Sequence, residues 1–382
     1  MTIKKALGKI HLWLGFTSGL LIVFLGITGC ILAFEQEIEY FTAPYQFVKV
    51  ENKAWLAPSA LKTEAEKHLN GRSVSGIEYR GMGKAAVASY YDSVSYTMIY
   101  LNPYSGEVVK VKDMNHDFFR VVLLGHYYIW LPPNIGQPVL ASATLVFLVM
   151  MISGVVLWWP KNKSARKQRF SIKWNARWRR KNYDLHNVLG FYMTWIAIFL
   201  AISGLVMGFQ WFARTVYWVS SAGKSMPAHI HPLSDTNMAG SITKNAADYV
   251  WMILLKKTGK NESLGIYYPI SKTDPVEGSI NHRPGTYYNS DYYHFDQYTN
   301  KELPATGVYA GTFCDASVAN KISRMNYDIH VGAVLGLPGK ILAFFGSLIA
   351  ASLPVTGFYI WWGRRKKKAT SLQGLLIANN IT

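Results

Sequence analysis

Four long stretches of this chain, residues 10–34, 139–159, 189–212 and 341–362, contain no Asp, Glu, Lys or Arg. Each is long enough to cross a bilayer, which takes about 20 apolar residues, so a four-span membrane protein is expected. The same lack of charge leaves nothing inside a span to relay an ion, which argues against an ion-coupled transporter. Cysteine is nearly absent: Cys30 falls inside an apolar run and Cys314 in a polar segment, so a disulfide between them is not expected. Acidic residues are missing from three segments. The start of the chain (Lys4, Lys5, Lys9), the 160–182 connector with ten Lys or Arg, and the tail from Gly363 with five together hold 18 basic residues, which equals the whole net charge of +18. A four-span chain puts these segments on one side, and the positive-inside rule makes that side the cytoplasm. Topology therefore accounts for the basicity without nucleic acid as a partner. The first apolar run also lacks an A-x-A-like cleavage site and exceeds a signal-peptide core in length, so it is read as an uncleaved anchor.

What is present is duplicated. Residues 10–34 align without a gap on 185–209 at an offset of 175, placing His11 on His186, Gly15-Phe16 on Gly190-Phe191, Thr28-Gly29 on Ser203-Gly204 and Phe34 on Phe209. The stretch from Leu101 to Ser105 is similar to that from Phe295 to Thr299 at an offset of 194. Arg120 and His126 return as Arg324 and His330 at 204, and Ser153-Gly154 with Trp158-Trp159 returns as Thr356-Gly357 with Trp361-Trp362 at 203. The expected plan is two tandem copies of helix, insert, histidine, helix.

Between the spans the pattern is that of soluble structure. The first insert reads as a helix over 58–69 and strands over 86–91, 96–101 and 107–111, and the second as a helix over 242–256 and strands over 264–269, 278–282 and 287–295. Each α+β unit is near the lower size limit for independent stability and should lean on its partner insert or on the membrane. Both are rich in tyrosine (Tyr90, Tyr91, Tyr96, Tyr287, Tyr288, Tyr292, Tyr293), which serves sheet packing or an aromatic ligand.

Of the ten histidines, four occupy repeat-equivalent places at span ends. His11 and His186 begin helices on the cytoplasmic side, and His126 and His330 precede helices on the other. Each pair comes from two helices and can close on a metal from opposite faces. Zinc asks for three or four nitrogen or sulfur ligands, which two histidines per level do not supply. Two axial ligands are what a six-coordinate haem iron takes, because the macrocycle provides the other four. Gly15, Gly19, Gly190, Gly332 and Gly336 follow these histidines, where they admit a flat cofactor or simply let helices pack. Arg179, Arg180 and Lys181 precede His186, and Arg120 and Arg324 each lie six residues before an outer histidine; they suit haem propionates or lipid phosphate. His116 is an alternative to His126, although its repeat position is Asn320. Pro132-Pro133 and Gly336-Leu337-Pro338 should set each outer histidine on a short helix bent against its span. Among the unmatched histidines (His68, His229, His231, His282, His294), His229 and His231 could bind a metal or substrate iron, or be solvated loop residues.

At these residues the chain resembles the PepSY-associated transmembrane family over essentially its whole length. The resemblance is carried by His11 and Gly15 leading to Thr28-Gly29, by His126 ahead of Gly136 and Ser153-Gly154 with Trp158-Trp159, by Asp184-Leu185-His186, and by Asp328-Ile329-His330 running through Leu337-Pro338-Gly339-Lys340 to Thr356-Gly357 and Trp361-Trp362. The turn at Asn102, Pro103, Ser105, Gly106 and Glu107 is similar to that of PepSY modules. The resemblance implies a membrane α-helical fold: a four-helix transmembrane bundle from two tandem repeats, with two α+β PepSY-like periplasmic inserts. The expected boundaries are 1–34, 35–138 (first insert, carrying His126), 139–159, 160–185, 186–212, 213–340 (second insert, carrying His330), 341–362 and 363–382. It further implies an inner-membrane ferric-siderophore reductase with b-type haem held by His11, His186, His126 and His330; with two haems, Arg120, Arg324 and Arg180 are the candidates from the residue reading to lie beside them. The acceptor is then a ferric siderophore or other ferric chelate. No cytoplasmic segment is long enough for a flavin or nicotinamide domain, so a membrane quinol or a separate reductase is expected as donor. Reduction of Fe(III) weakens the grip of hard oxygen donors. The alternatives are a haem-free PepSY binding or regulatory protein and a di-haem cytochrome with another acceptor.

Overall fold

The computed structural model describes residues 2–160, 162–163, 166, 169–239 and 245–379, with side chains described through 365. Part of the expected connector and the first residues of the expected 242–256 helix lie outside them. The chain runs through helices α1 (Ile3–Ala33), α2 (Glu35–Thr42), α3 (Pro58–Glu66), α4 (Phe118–Tyr128), α5 (Pro133–Trp158), α6 (Trp178–Gly208), α7 (Gln210–Ser220), α8 (Ala246–Leu255), α9 (Val318–His330) and α10 (Leu337–Asn379). It divides into a helical unit (Met1–Ala33, Val122–Gln210, Ile329–Thr382) and a sheet unit (Phe34–Val121, Trp211–Asp328).

In the helical unit, Ile3–Ala33, Pro133–Trp158, Trp178–Gly208 and Leu337–Arg365 are long and apolar enough to cross a membrane. A helix satisfies its backbone hydrogen bonds internally, which lipid requires. α1 and α6 each pack against both α5 and α10, an arrangement that sets α1 and α6 diagonally across the bundle. Small residues make the close crossings. A Cβ on Gly26 of α1 would lie 2.7 Å from the Ser347 carbonyl oxygen, and one on Gly208 of α6 would lie 2.7 Å from the Ala141 Cβ. Without a hydrophobic force between helices in lipid, such backbone approach is what holds them together.

The sheet unit carries seven strands: β1 (Gly76–Tyr79), β2 (Ala86–Tyr91), β3 (Tyr96–Leu101), β4 (Val108–Asp113), β5 (Ser263–Tyr267), β6 (Val276–Asn281) and β7 (Ser290–Phe295). They form one antiparallel sheet in the order β4-β3-β2-β1-β5-β6-β7. The two inserted segments meet at β1 and β5, where Ile77 faces Ile266 and Tyr79 faces Leu264. The mutual support expected of two small inserts thus takes the form of a shared sheet. α3 and α8 cover it, with Leu61, Leu254, Ile77, Ile99, Leu101, Leu264, Ile266 and Ile280 fully or almost fully buried in one core. Each such side chain contributes about 1.5–3 kcal/mol. Pro58 opens α3, and Asp248 of α8 accepts from the Ser59 amide at 2.9 Å and its hydroxyl at 2.5 Å.

Candidate functional site

His11 lies on α1, His186 on α6, His126 on α4 and His330 at the end of α9. The chain reverses sharply after each of the last two. Ile129 and Trp130 take left-handed φ values of 54° and 55°, and a Cβ on Gly136 would sit 1.9 Å from the Tyr128 carbonyl oxygen. After His330, Gly332 is left-handed at φ 77°, and a Cβ on Gly339 would sit 2.1 Å from its carbonyl oxygen. Only glycine permits that approach. Both histidines therefore end short helices folded back against α5 and α10.

All four imidazoles are held by a hydroxyl from a different helix. His11 Nδ1 lies 2.9 Å from Ser153 Oγ, His126 Nδ1 2.8 Å from Thr28 Oγ1, His186 Nδ1 2.9 Å from Thr356 Oγ1 and His330 Nδ1 3.0 Å from Ser203 Oγ. Each hydroxyl also donates to a backbone carbonyl one turn back: Ser153 to Met150 at 3.1 Å, Thr28 to Phe24 at 2.8 Å, Thr356 to Ser352 at 3.0 Å and Ser203 to Phe199 at 2.6 Å. A hydroxyl has one proton. With that proton given to a carbonyl, the oxygen accepts from Nδ1–H, and the neutral ring keeps a lone pair on Nε2. His330 makes this explicit, because Nδ1 also lies 3.0 Å from the Leu200 carbonyl oxygen, which can only accept. Such outer hydrogen bonds fix the tautomer and orientation of a metal-binding imidazole.

A glycine follows each hydroxyl and makes room for the ring. A Cβ added at Gly154 would lie 3.4 Å from His11 Cε1, at Gly29 3.6 Å from His126 Cε1, at Gly357 3.3 Å from His186 Cε1 and at Gly204 3.3 Å from His330 Cε1. The glycines named for cofactor approach have other surroundings. Cβ atoms at Gly15 and Gly19 would meet Met150 at 3.2 Å and Pro354 at 3.1 Å, so these two serve helix contacts. Sequence reasoning noted the four hydroxyl-glycine pairs as marks of the repeat and missed their role; their match in number to the four histidines was the available signal.

The His126 and His330 rings face each other with centroids 6.1 Å apart and planes at 60°. His11 and His186 stand on the diagonal helices, with Trp158 stacked on Phe191 at 3.9 Å and Phe16 edge-on to Trp361 at 5.0 Å in the same unit. At His126 and His330 the arrangement offers two Nε2 lone pairs from neighbouring rings, a donor set for a group that takes two axial ligands.

The arginines divide. Arg180 pairs with the buried Asp184 at 2.9 Å while remaining partly exposed, so it can still turn toward an anion. Arg120 belongs to the sheet unit and lies 4.6 Å over the Tyr96 ring. Arg324 is buried there and donates to the carbonyls of Val308 at 2.7 Å, Ala310 at 2.7 Å and Ser290 at 3.3 Å. Those bonds tie Arg324 to the sheet unit as a structural residue. His116 is exposed and bonded to Asp113 at 2.7 Å, with no comparable hydroxyl partner among the described residues.

The family model for the PepSY-associated TM region matches residues 9–364, a range that takes in all four histidines and their hydroxyl partners. No curated protein matches the chain.

Proposed function

The chain belongs to the PepSY-associated TM family, and from that premise we propose that it is a di-haem oxidoreductase of a bacterial inner membrane that reduces a periplasmic ferric chelate, a ferric siderophore foremost. The observation that carries the reading is the set of four Nδ1 hydrogen bonds, that of His11 to Ser153 matching that of His186 to Thr356 and that of His126 to Thr28 matching that of His330 to Ser203, which leave Nε2 as the ligating nitrogen of each ring. His126 and His330, with ring centroids 6.1 Å apart, are the pair that would hold one haem, and His11 and His186 the pair that would hold the other. When bound, such a group supplies one-electron redox chemistry at a potential tuned by its ligands and surroundings.

The chain's own residues do the rest. Thr28, Ser153, Ser203 and Thr356 hold the rings in one tautomer, and the glycine beside each sets how deeply the ring seats. The apolar spans keep water from both levels. Arg180 would meet an acid group at the His186 level. With the basic flanks in the cytoplasm, His11 and His186 would hold a group on the side of a quinol or separate reductase as donor, and His126 and His330 one on the side of the ferric chelate.

The test is in two stages. The purified protein should show a Soret band with two haems per chain, and His11→Ala and His126→Ala should each remove one. Reduced protein mixed with ferric chelates and an Fe(II) indicator should then reoxidise. Absence of the Soret band sinks the haem reading in favour of a binding or regulatory protein. A Soret band without reoxidation by any chelate points to a cytochrome with a different acceptor.

A further inference from the structure

A second cluster of metal-ligating side chains lies on the sheet unit and shares no residue with the four helical histidines. Glu277 on β6 and His294 on β7 are paired directly across the ladder, so the pleat puts both side chains on one face. His231 comes to the same place from the segment after α7. Ligand atoms of His231, Glu277 and His294 all lie within 4.8 Å of one another. His231 Nδ1 is 3.6 Å and His294 Nε2 3.9 Å from Glu277 Oε1. Both gaps exceed a hydrogen bond. They are close to the separations of two ligand atoms that each stand about 2.1 Å from a shared cation.

The third ligand is oriented rather than adrift. His229 Nε2 lies 3.0 Å from His231 Nε2, so the far side of the His231 ring is engaged while Nδ1 faces the carboxylate. The segment carrying both rings is tied down on either side. Ile230 bridges to Thr306, Thr306 Oγ1 donates to the Ala228 carbonyl at 3.2 Å, the Ser234 amide donates to the Thr273 carbonyl at 2.9 Å, and the Asp235 amide donates to Asp296 at 2.6 Å. Gly307, at φ 117°, passes so close that a Cβ there would meet His229 Nδ1 at 3.1 Å.

We propose that His231, Glu277 and His294, with His229 supporting His231, form a binding site for a divalent first-row transition-metal cation. Two imidazoles and one carboxylate suit zinc or iron(II) and are poorly matched to magnesium or calcium, which ask for oxygen ligands. Three protein ligands leave a position open to water or to a donor atom of a passing chelate. His294 is buried and His231 exposed, so the cation enters from the His231 side and the exposed ring closes over it.

Zinc is the probe, titrated into the full-length protein in detergent against a chromophoric chelator. Wild type is expected to take up one equivalent more than His231→Ala or Glu277→Gln, with affinity at this site falling about 100-fold or more on loss of a ligand. His68→Ala, outside the cluster, should keep that equivalent, and so should His126→Ala, which separates this site from the helical histidines. Excess magnesium should not displace the zinc. His231 is exposed, so its variant tests the site without disturbing the core. Equal zinc stoichiometry and affinity in wild type, His231→Ala and Glu277→Gln would overturn the proposal, as would displacement by magnesium.

Discussion

Replacing Thr28 by Val keeps the shape of the side chain and removes the oxygen that accepts from His126 Nδ1 at 2.8 Å. No second acceptor for that nitrogen is found among the described residues. His330, opposite, has two, Ser203 Oγ at 3.0 Å and the Leu200 carbonyl at 3.0 Å. The two halves should therefore respond unequally. In Thr28→Val the ring loses a hydrogen bond worth about 0.5–1.5 kcal/mol and is free to shift its proton to Nε2, which closes the ligand lone pair. Loss of such an outer partner lowers metal affinity about 10–100-fold, or about 1.4–2.7 kcal/mol at 1.36 kcal/mol per decade. In Ser203→Ala the Leu200 carbonyl still holds the Nδ1 proton, so the loss should be a few-fold at most. The assay is haem retained per chain when the purified variants compete with a haem-scavenging apoprotein, checked by pyridine haemochrome. Equal losses in the two variants, or a larger loss in Ser203→Ala, would refute the tautomer argument.

Three further outcomes follow from the geometry. Gly204→Ala places a methyl group 3.3 Å from His330 Cε1 and should cost about 1–3 kcal/mol through overpacking, read as a lower unfolding temperature together with reduced haem content. Arg324→Met should destabilise the sheet unit by about 3 kcal/mol or more, since it strands the carbonyls of Ser290, Val308 and Ala310; limited proteolysis of strands β5 to β7 would register it, and a wild-type digestion rate would contradict it. His282 is the third case. Burial pulls its pKa down, but hydrogen bonds to Asp291 and Glu262 outweigh this and hold it above the ordinary imidazole value. A raised folded-state pKa gives stability that is complete below about pH 6.5 and is lost as pH rises through the folded value. The sheet unit should resist denaturant better at pH 6 than at pH 8, and His282→Gln should flatten that difference.

The spans were legible because lipid tolerates so little charge that an uncharged run of this length has few other uses. The helical histidines were legible because a repeat puts them at matched positions. Their hydroxyl partners were not: Ser153 is 142 residues from His11, and Thr356 is 170 from His186, and no local pattern encodes a contact across two helices. Strand β1 went unseen for a related reason. Gly76–Tyr79 is four residues long, and it is made a strand by β2 on one side and β5 on the other rather than by its own alternation. The expected 287–295 strand begins only at Ser290, because Thr286 and Tyr287 close the preceding turn, with the Asn281 side chain bonded to the Thr286 carbonyl at 2.5 Å. Arg324 shows the limit most clearly. Its place six residues before a histidine suggested an anion ligand, whereas the carbonyls that surround it come from residues 290 to 311.

The junction of β1 with β5 also sets an order of events during biosynthesis. Gly76 emerges about 190 residues before Ser263, a delay of roughly 10–40 s at ordinary translation rates. Until then the β1 edge has no neighbour on that flank, and an open, apolar strand edge invites pairing with the wrong chain. The interval ends only after two more membrane crossings have been inserted. Maturation of the first segment is thereby made conditional on correct insertion of the third helix, and a chain stalled between them should be degraded or held by a chaperone rather than accumulate half-built.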